Sequence, residues 1–193
     1  KAFRYDKVLP IILTKKECLK LIDVYQTGKK AFRNRLIIRI LYATGMRISE
    51  IENIKICDIN LGRRVLFIRN AKGNKDRNVI IDKESAKLIN EFILENSLQF
   101  NDDLIDIKKR QLQYVVEKAG ELIGLDKKYK MIDRRFSAHS LRHAFATHSF
   151  ENGMDIFTLR KLLGHEYLET TQIYVHTSIK FEKSRYDKTN PFV

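Results

Sequence analysis

Apolar residues recur at helical spacing over most of the chain. In "AFRNRLIIRILYAT", Phe32, Leu36, Ile37, Ile40 and Leu41 fall on helical spacing and the run stops near Gly45, which predicts a helix. Upstream, "TKKE" (Thr14 to Glu17) has the form of a capping box and opens a helix expected to reach about Gln26. "RISEIENIK" offers Ile48, Ile51 and Ile54 for a third helix. Two β-rich runs follow, "RRVLFIRN" and "RNVIID", separated by "AKGNKD" (71 to 76), whose Gly-Asn pair marks a hairpin tip. Further helices are expected at about 83 to 96 and 108 to 123, and after Ser137 at 139 to 151, 156 to 163 and 169 to 180. Gly153 and Gly164 stand where C-cap glycines belong. Residues 1 to 13 read as an incoming arm with Pro10 and no helical period. With no repeat, low-complexity tract or interior linker, the pattern predicts one mainly α domain carrying a small antiparallel β-sheet, an α+β fold.

Composition changes this picture through charge rather than hydropathy. The apolar fraction, 44% of 193 residues, is ordinary for a globular domain. The 37 Lys and Arg against 24 Asp and Glu give a net charge of +13. Such an excess marks either a polyanion partner, nucleic acid first among them, or simply a lysine-rich soluble protein. Cys18 and Cys57 are far apart and form no CxxC, so neither a disulfide framework nor a zinc ribbon is indicated, and a reducing compartment fits. No apolar run approaches the roughly 18 residues needed to span a bilayer. No signal peptide is visible and the chain begins with Lys rather than Met, the expectation being a fragment of a soluble, intracellular, polyanion-binding protein.

Candidate chemistry is concentrated late in the chain. All five histidines fall between 139 and 176, and "HSLRH" sets His139, Arg142 and His143 at i, i+3 and i+4 on one helix face. His139 is expected in a first turn, where exposed N–H groups attract an anion and the helix dipole disfavours an imidazolium. His139 and His143 have a spacing open to a metal, but no HExxH and no cysteine or carboxylate set accompanies them, so no metal is expected. Arg47, after a glycine-terminated helix and among apolar neighbours, requires a carboxylate or an anion; Glu50 at i+3 supplies one such partner.

Taken together, "LYATGMRISE", "AKGNKDR", "HSLRHAFATH" and "LLGHEYLETTQIYVH" resemble the catalytic domain of tyrosine recombinases, the phage-integrase family, and its Xer-like branch in particular. The likeness runs from about residue 10 to 180 with the motifs in family order. It implies a tyrosine-recombinase catalytic-domain fold over 14 to 180 and a C-terminal tail over 181 to 193. It also implies a separate N-terminal core-binding domain that this chain does not include. Residue by residue, it implies that Arg47 is the first catalytic arginine, Lys72 the hairpin lysine, His139 and Arg142 the HxLRH pair, His165 the histidine of "LLGH" and Tyr174 the nucleophile.

The implied activity is DNA cleavage and strand exchange through a 3′-phosphotyrosyl link and a Holliday junction, with no metal or other cofactor. The residue types suit that chemistry. Guanidiniums bind phosphate oxygens through a bidentate fork that lysine lacks. A tyrosine of ordinary pKa near 10 requires a base, here His139, and a cationic pocket to attack at neutral pH. Lys72 is the candidate acid for the departing 5′-oxygen, and His165 a donor to a non-bridging oxygen. Tyr167 and Tyr186 do not fit the spacing.

Several basic residues are candidate contacts to double-stranded DNA. Lys75 and Arg77 flank the hairpin tip, Lys108, Lys109 and Arg110 begin a helix against the dipole preference, and Arg134 and Arg135 precede His139. The first two sets also read as ordinary solvated charge. The resemblance further implies a homo-oligomer on DNA, a tetramer, with the tail docking on a neighbouring protomer or packing in cis. A type IB topoisomerase and a non-catalytic DNA-binding regulator of the same fold are the rival readings.

Overall fold

Helix α2 (Ala31–Thr44) lies at the centre because its apolar residues are not confined to one stripe: Leu36, Ile37, Ile38, Ile40 and Leu41 are all buried. In this computed structural model, residues 11–69 and 76–164 are described. The predicted helix over 169 to 180 and most of the hairpin tip lie outside them. Around α2 pack α1 (Lys15–Asp23), α4 (Lys83–Glu95), α5 (Lys109–Leu122) and α7 (Ala138–Glu151). Each fully buried Leu or Ile contributes about 2 kcal/mol through removal of apolar surface from water. A smaller apolar cluster, Ala146, Phe150, Leu159 and Leu163, joins α7 to α8 (Ile156–Leu163).

The capping box of α1 forms as expected, with the Glu17 backbone N–H donating to Thr14 Oγ1 at 3.2 Å and the Thr14 N–H to the Glu17 carboxylate at 2.8 Å. The helix ends at Asp23, short of Gln26, and just beyond it the Tyr25 hydroxyl donates to the Val115 carbonyl at 2.8 Å. Helix α3 (Ile48–Ile51) is much shorter than its apolar period suggests. Tertiary pairing takes the rest of that segment: the Ile56 and Cys57 N–H groups donate to the carbonyls of Asp102 and Phe100, and Leu104 N–H donates to Ile54.

The sheet is antiparallel, ordered β1 (Ile59–Asn60), β2 (Val65–Ile68), β3 (Arg77–Ile80), with Leu66 opposite Val79 and Ile68 opposite Arg77. The two-residue β1 and the short helix α6 (Leu125–Lys130) carry too few residues for a period to show, and neither is predicted by the sequence pattern. Side chains alternate along β3, and with Val79 and Ile81 buried, Arg77 takes the inward face as well.

His148, buried on α7, behaves as a core histidine. Its Nδ1 lies 2.9 Å from the Tyr42 hydroxyl and its ring meets the Tyr42 ring edge-on. Burial draws its pKa below the ordinary histidine value. The same buried corner pushes the Cys18 thiol up to about 12, chiefly through desolvation, so this cysteine is inert packing material.

Candidate functional site

Two helix ends set the site. Gly45 closes α2 and Gly164 closes α8, both in the left-handed region (φ 61 and 63). A Cβ on Gly45 would also run into the Phe145 ring and the Leu163 side chain, so glycine is required there by both conformation and space. Helix ends carry carbonyls without intrahelical partners and a partial negative charge. Arginine meets both of these ends. Arg142 of α7, only 6% exposed, donates from Nη1 to the Gly45 carbonyl (2.6 Å) and from Nη2 to the Leu163 carbonyl (2.7 Å). Arg47, the N-cap residue of α3, approaches the Gly164 carbonyl with Nη2 at 3.4 Å.

Glu50 holds Arg47, as the i+3 spacing suggested. Its carboxylate accepts from the Arg47 backbone N–H (2.6 Å) and from Arg47 Nη1 (3.1 Å). A second arginine shares it: Arg77 of β3 donates from Nη1 at 2.6 Å and Nη2 at 2.8 Å. Burial on its own raises the Glu50 carboxyl, but the bonds and charge of Arg77, then those of Arg47, outweigh it and hold the group ionised below its ordinary range.

Arg47, Arg142 and His139 border one cavity of about 300 Å³, with Ser137 and Ala138 at the start of α7 and Lys109 at the start of α5. Withdrawal from water, then the charges of Arg142, Arg47 and Lys109, lower the His139 pKa, so the imidazole is neutral at neutral pH. The first-turn placement anticipated from the sequence holds, since Ser137 is the N-cap residue and α7 begins at Ala138. His143, one turn on, is pushed down to about 4 by burial and then by His139 and Arg142. The cavity therefore offers fixed cationic donors next to a neutral proton acceptor, an arrangement suited to a phosphate whose charge grows during reaction.

Three of the expected catalytic residues, Arg47, His139 and Arg142, are thus brought together from distant segments, and Lys72, His165 and Tyr174 lie outside the described residues, as does Lys75. Arg77, expected as a DNA contact, is placed against Glu50. Its side chain is only 11% exposed, and both terminal nitrogens donate to Glu50. Arg135 is exposed but bonded to Glu117 at 2.9 Å, and it shares a second depression of about 250 Å³ with Arg134, Lys130, Glu121 and Asp126, a surface of mixed sign. Lys108, Lys109 and Arg110 are exposed at the start of α5. Lys109 reaches the cavity itself, which its sequence position alone did not reveal. Among the described residues no group of three or more His, Cys, Asp or Glu is placed to hold a metal ion.

Comparison with known proteins adds a relationship to this geometry. The model of the phage integrase family matches residues 12–180. The tyrosine recombinase XerA of Pyrococcus furiosus is 35% identical over 188 residues, which cover 97% of this chain and 64% of that protein. The tyrosine recombinase XerC of Lactobacillus leichmannii is 34% identical, covering 97% of this chain and 65% of that one. Among solved structures, the XerA recombinase superposes with a TM-score of 0.77 at 30% identity, over 95% of this chain and 66% of the other. The XerH site-specific recombinase, bound to palindromic difH substrate in a post-cleavage complex, gives a TM-score of 0.75 at 29% identity over 93% of this chain and 53% of that one. The chain thus spans about two thirds or less of the length of each of these relatives.

Proposed function

The chain belongs to the phage integrase family, and on that premise we propose that it is the catalytic portion of a site-specific recombinase that cuts and rejoins double-stranded DNA through Tyr174. The observation that carries this reading is the cavity in which Arg47, Arg142 and a neutral His139 converge. In the proposed step the Tyr174 hydroxyl oxygen attacks a backbone phosphorus and passes its proton to His139. The P–O5′ bond breaks, and Lys72 protonates the departing 5′-oxygen. Arg47 and Arg142 neutralise the charge that accumulates on the non-bridging oxygens, with His165 donating a further hydrogen bond. The 3′-phosphotyrosyl ester conserves the bond, so a second 5′-hydroxyl can reverse the step and join the strand to a new partner. A DNA-bound tetramer resolving a Holliday junction, with residues 181 to 193 linking protomers, completes the reading. Residues 14 to 180 serve as its catalytic domain.

The test uses duplexes recovered from a randomised library by binding to the Tyr174→Phe protein, then nicked beside the cut position so that the cleaved end is lost. Wild type is expected to form a denaturation-resistant protein–DNA adduct and Tyr174→Phe none, with non-covalent binding within about threefold, since one hydroxyl is removed and the cationic surface is intact. Equal adduct from both proteins removes Tyr174 as the nucleophile. Absence of adduct from wild type favours a non-catalytic DNA-binding regulator, and relaxation of supercoiled DNA without sequence preference favours a topoisomerase.

A further inference from the structure

Glu50 has two oxygens and room for about four hydrogen bonds, and two arginines use all of them. Arg77 takes one bond on each oxygen through its planar fork, and Arg47 takes one through a side-chain nitrogen and one through its backbone N–H. The cluster of two guanidiniums and one carboxylate therefore keeps a net positive charge, and Arg47 retains donors not spent on Glu50. With Arg77 removed, a buried carboxylate would face a single arginine. The strongest geometry then open to the pair is a bidentate one, which turns the Arg47 guanidinium onto Glu50.

Arg77 also fixes the end of α8. A Cβ on Gly164 would lie only 3.1 Å from Arg77 Cδ and 3.2 Å from its Cζ and Nε, so the guanidinium rests directly on the glycine backbone. The buried Nε–H beside it has no hydrogen-bond partner among the described residues. Gly164 is also the residue whose carbonyl Arg47 approaches, and it directly precedes His165 in the chain.

We propose that Arg77 is a positioning residue for the cavity: by saturating Glu50 and seating on Gly164, it holds the Arg47 guanidinium towards the cavity and locks strand β3 to the end of α8. The inference rests on the DNA-cleavage reading for its effect on rate, but not for its geometry. It assigns Arg77 an internal role in place of a DNA contact.

Two measurements test it. The first is a crystal structure of Arg77→Met, with Arg77→Lys in reserve should the methionine variant fold poorly. Arg47 is expected to swing onto both Glu50 oxygens and to lose its approach to Gly164; an Arg47 left in place overturns the proposal whatever the activity. The second is single-turnover adduct formation at saturating duplex, beside non-covalent affinity measured across salt concentrations. Arg77→Met is expected to cleave about a hundredfold more slowly, with affinity within threefold and an unchanged salt slope. Arg77→Lys keeps the charge but not the fork and is expected to recover no more than about a tenth of the wild-type rate. The paired change Glu50→Gln with Arg77→Met removes the buried charges together; it is expected to restore the thermal midpoint but not the rate, which a purely structural role would restore. Unchanged cleavage in Arg77→Met overturns the proposal, and so does a salt slope lowered by about one, the signature of a phosphate contact. If wild type forms no adduct, the cleavage reading falls, and the position of Arg47 in the variant structure still decides the role of Arg77.

Discussion

Two basic regions border the same cavity and are built in opposite ways. At the junction of α2, α7 and α8, Arg142 and Arg77 are almost wholly withdrawn from water, and each is held by two short bonds to fixed acceptors. At the start of α5, Lys108, Lys109 and Arg110 are exposed, and the nearest carboxylate to Lys108, that of Glu52, stands 4.0 Å away. A charge in the first setting has one geometry and acts by its position. A charge in the second has many geometries and acts through the field it adds, which salt screens. Sequence shows both as Lys and Arg; burial separates charges with fixed partners from charges open to solvent.

The largest expected effect breaks the first region. Arg142→Lys cannot reach the Gly45 and Leu163 carbonyls together, so at least one helix end loses its partner while the cavity loses its guanidinium. Single-turnover cleavage is expected to fall by about 10²- to 10³-fold, with a lower thermal midpoint. A variant that cleaves within threefold of wild type would show that the buried arginine is not placed for the reaction.

Acid separates the regions next. His143 in the folded chain is depressed to about 4 from the ordinary 6.5, so as pH falls the unfolded chain takes up a proton first. The stability that goes with the neutral imidazole is complete above about pH 6.5 and is lost progressively towards pH 4. Its share is about 2 kcal/mol between pH 7 and 4.5. Urea unfolding at both pH values should show that loss, and His143→Gln should remove it. The exposed start of α5 contributes nothing of this kind.

The smallest effect belongs to the exposed rim. Lys108→Ala with Arg110→Ala should weaken DNA binding at low salt and reduce the slope of log affinity against log salt by about 2. Cleavage at saturating DNA should stay within about twofold. An unchanged slope would assign these residues to solvent, as their ordinary reading allows.

Much of this architecture is visible in the sequence, because local rules and tertiary packing agree there. The period of α2, the capping box at Thr14 and the glycine stops at Gly45 and Gly164 are each repeated by the structure. So is the Arg47 to Glu50 pairing, an i, i+3 relation that a helix start delivers directly. What escaped depends on partners far along the chain. The apolar period after Arg47 runs past the end of α3 because residues 54 to 57 bond to 100 to 104 instead of continuing a helix. The charge of Arg77 and its place beside a basic loop point outward in the sequence. Its alternation with Val79 and Ile81 is the structural signal, because a strand that buries alternate residues turns the arginine inward as well. Lys109 offered no signal at all; only the packing of α5 beside α3 and α7 brings it to the cavity.

The bonds from Arg142 to Gly45 and Leu163 have a consequence in time. They join residues 97 and 21 positions apart, and the longer of these closures carries a loop entropy that local structure cannot offset by itself. The arginine pair therefore comes together only when α2, α7 and α8 have docked. A growing or partly unfolded chain holds the same residues but has no cationic cavity in which to polarise a phosphate. For a protein proposed to cut DNA, this dependence acts as a safety catch: reactivity comes with completion of the fold.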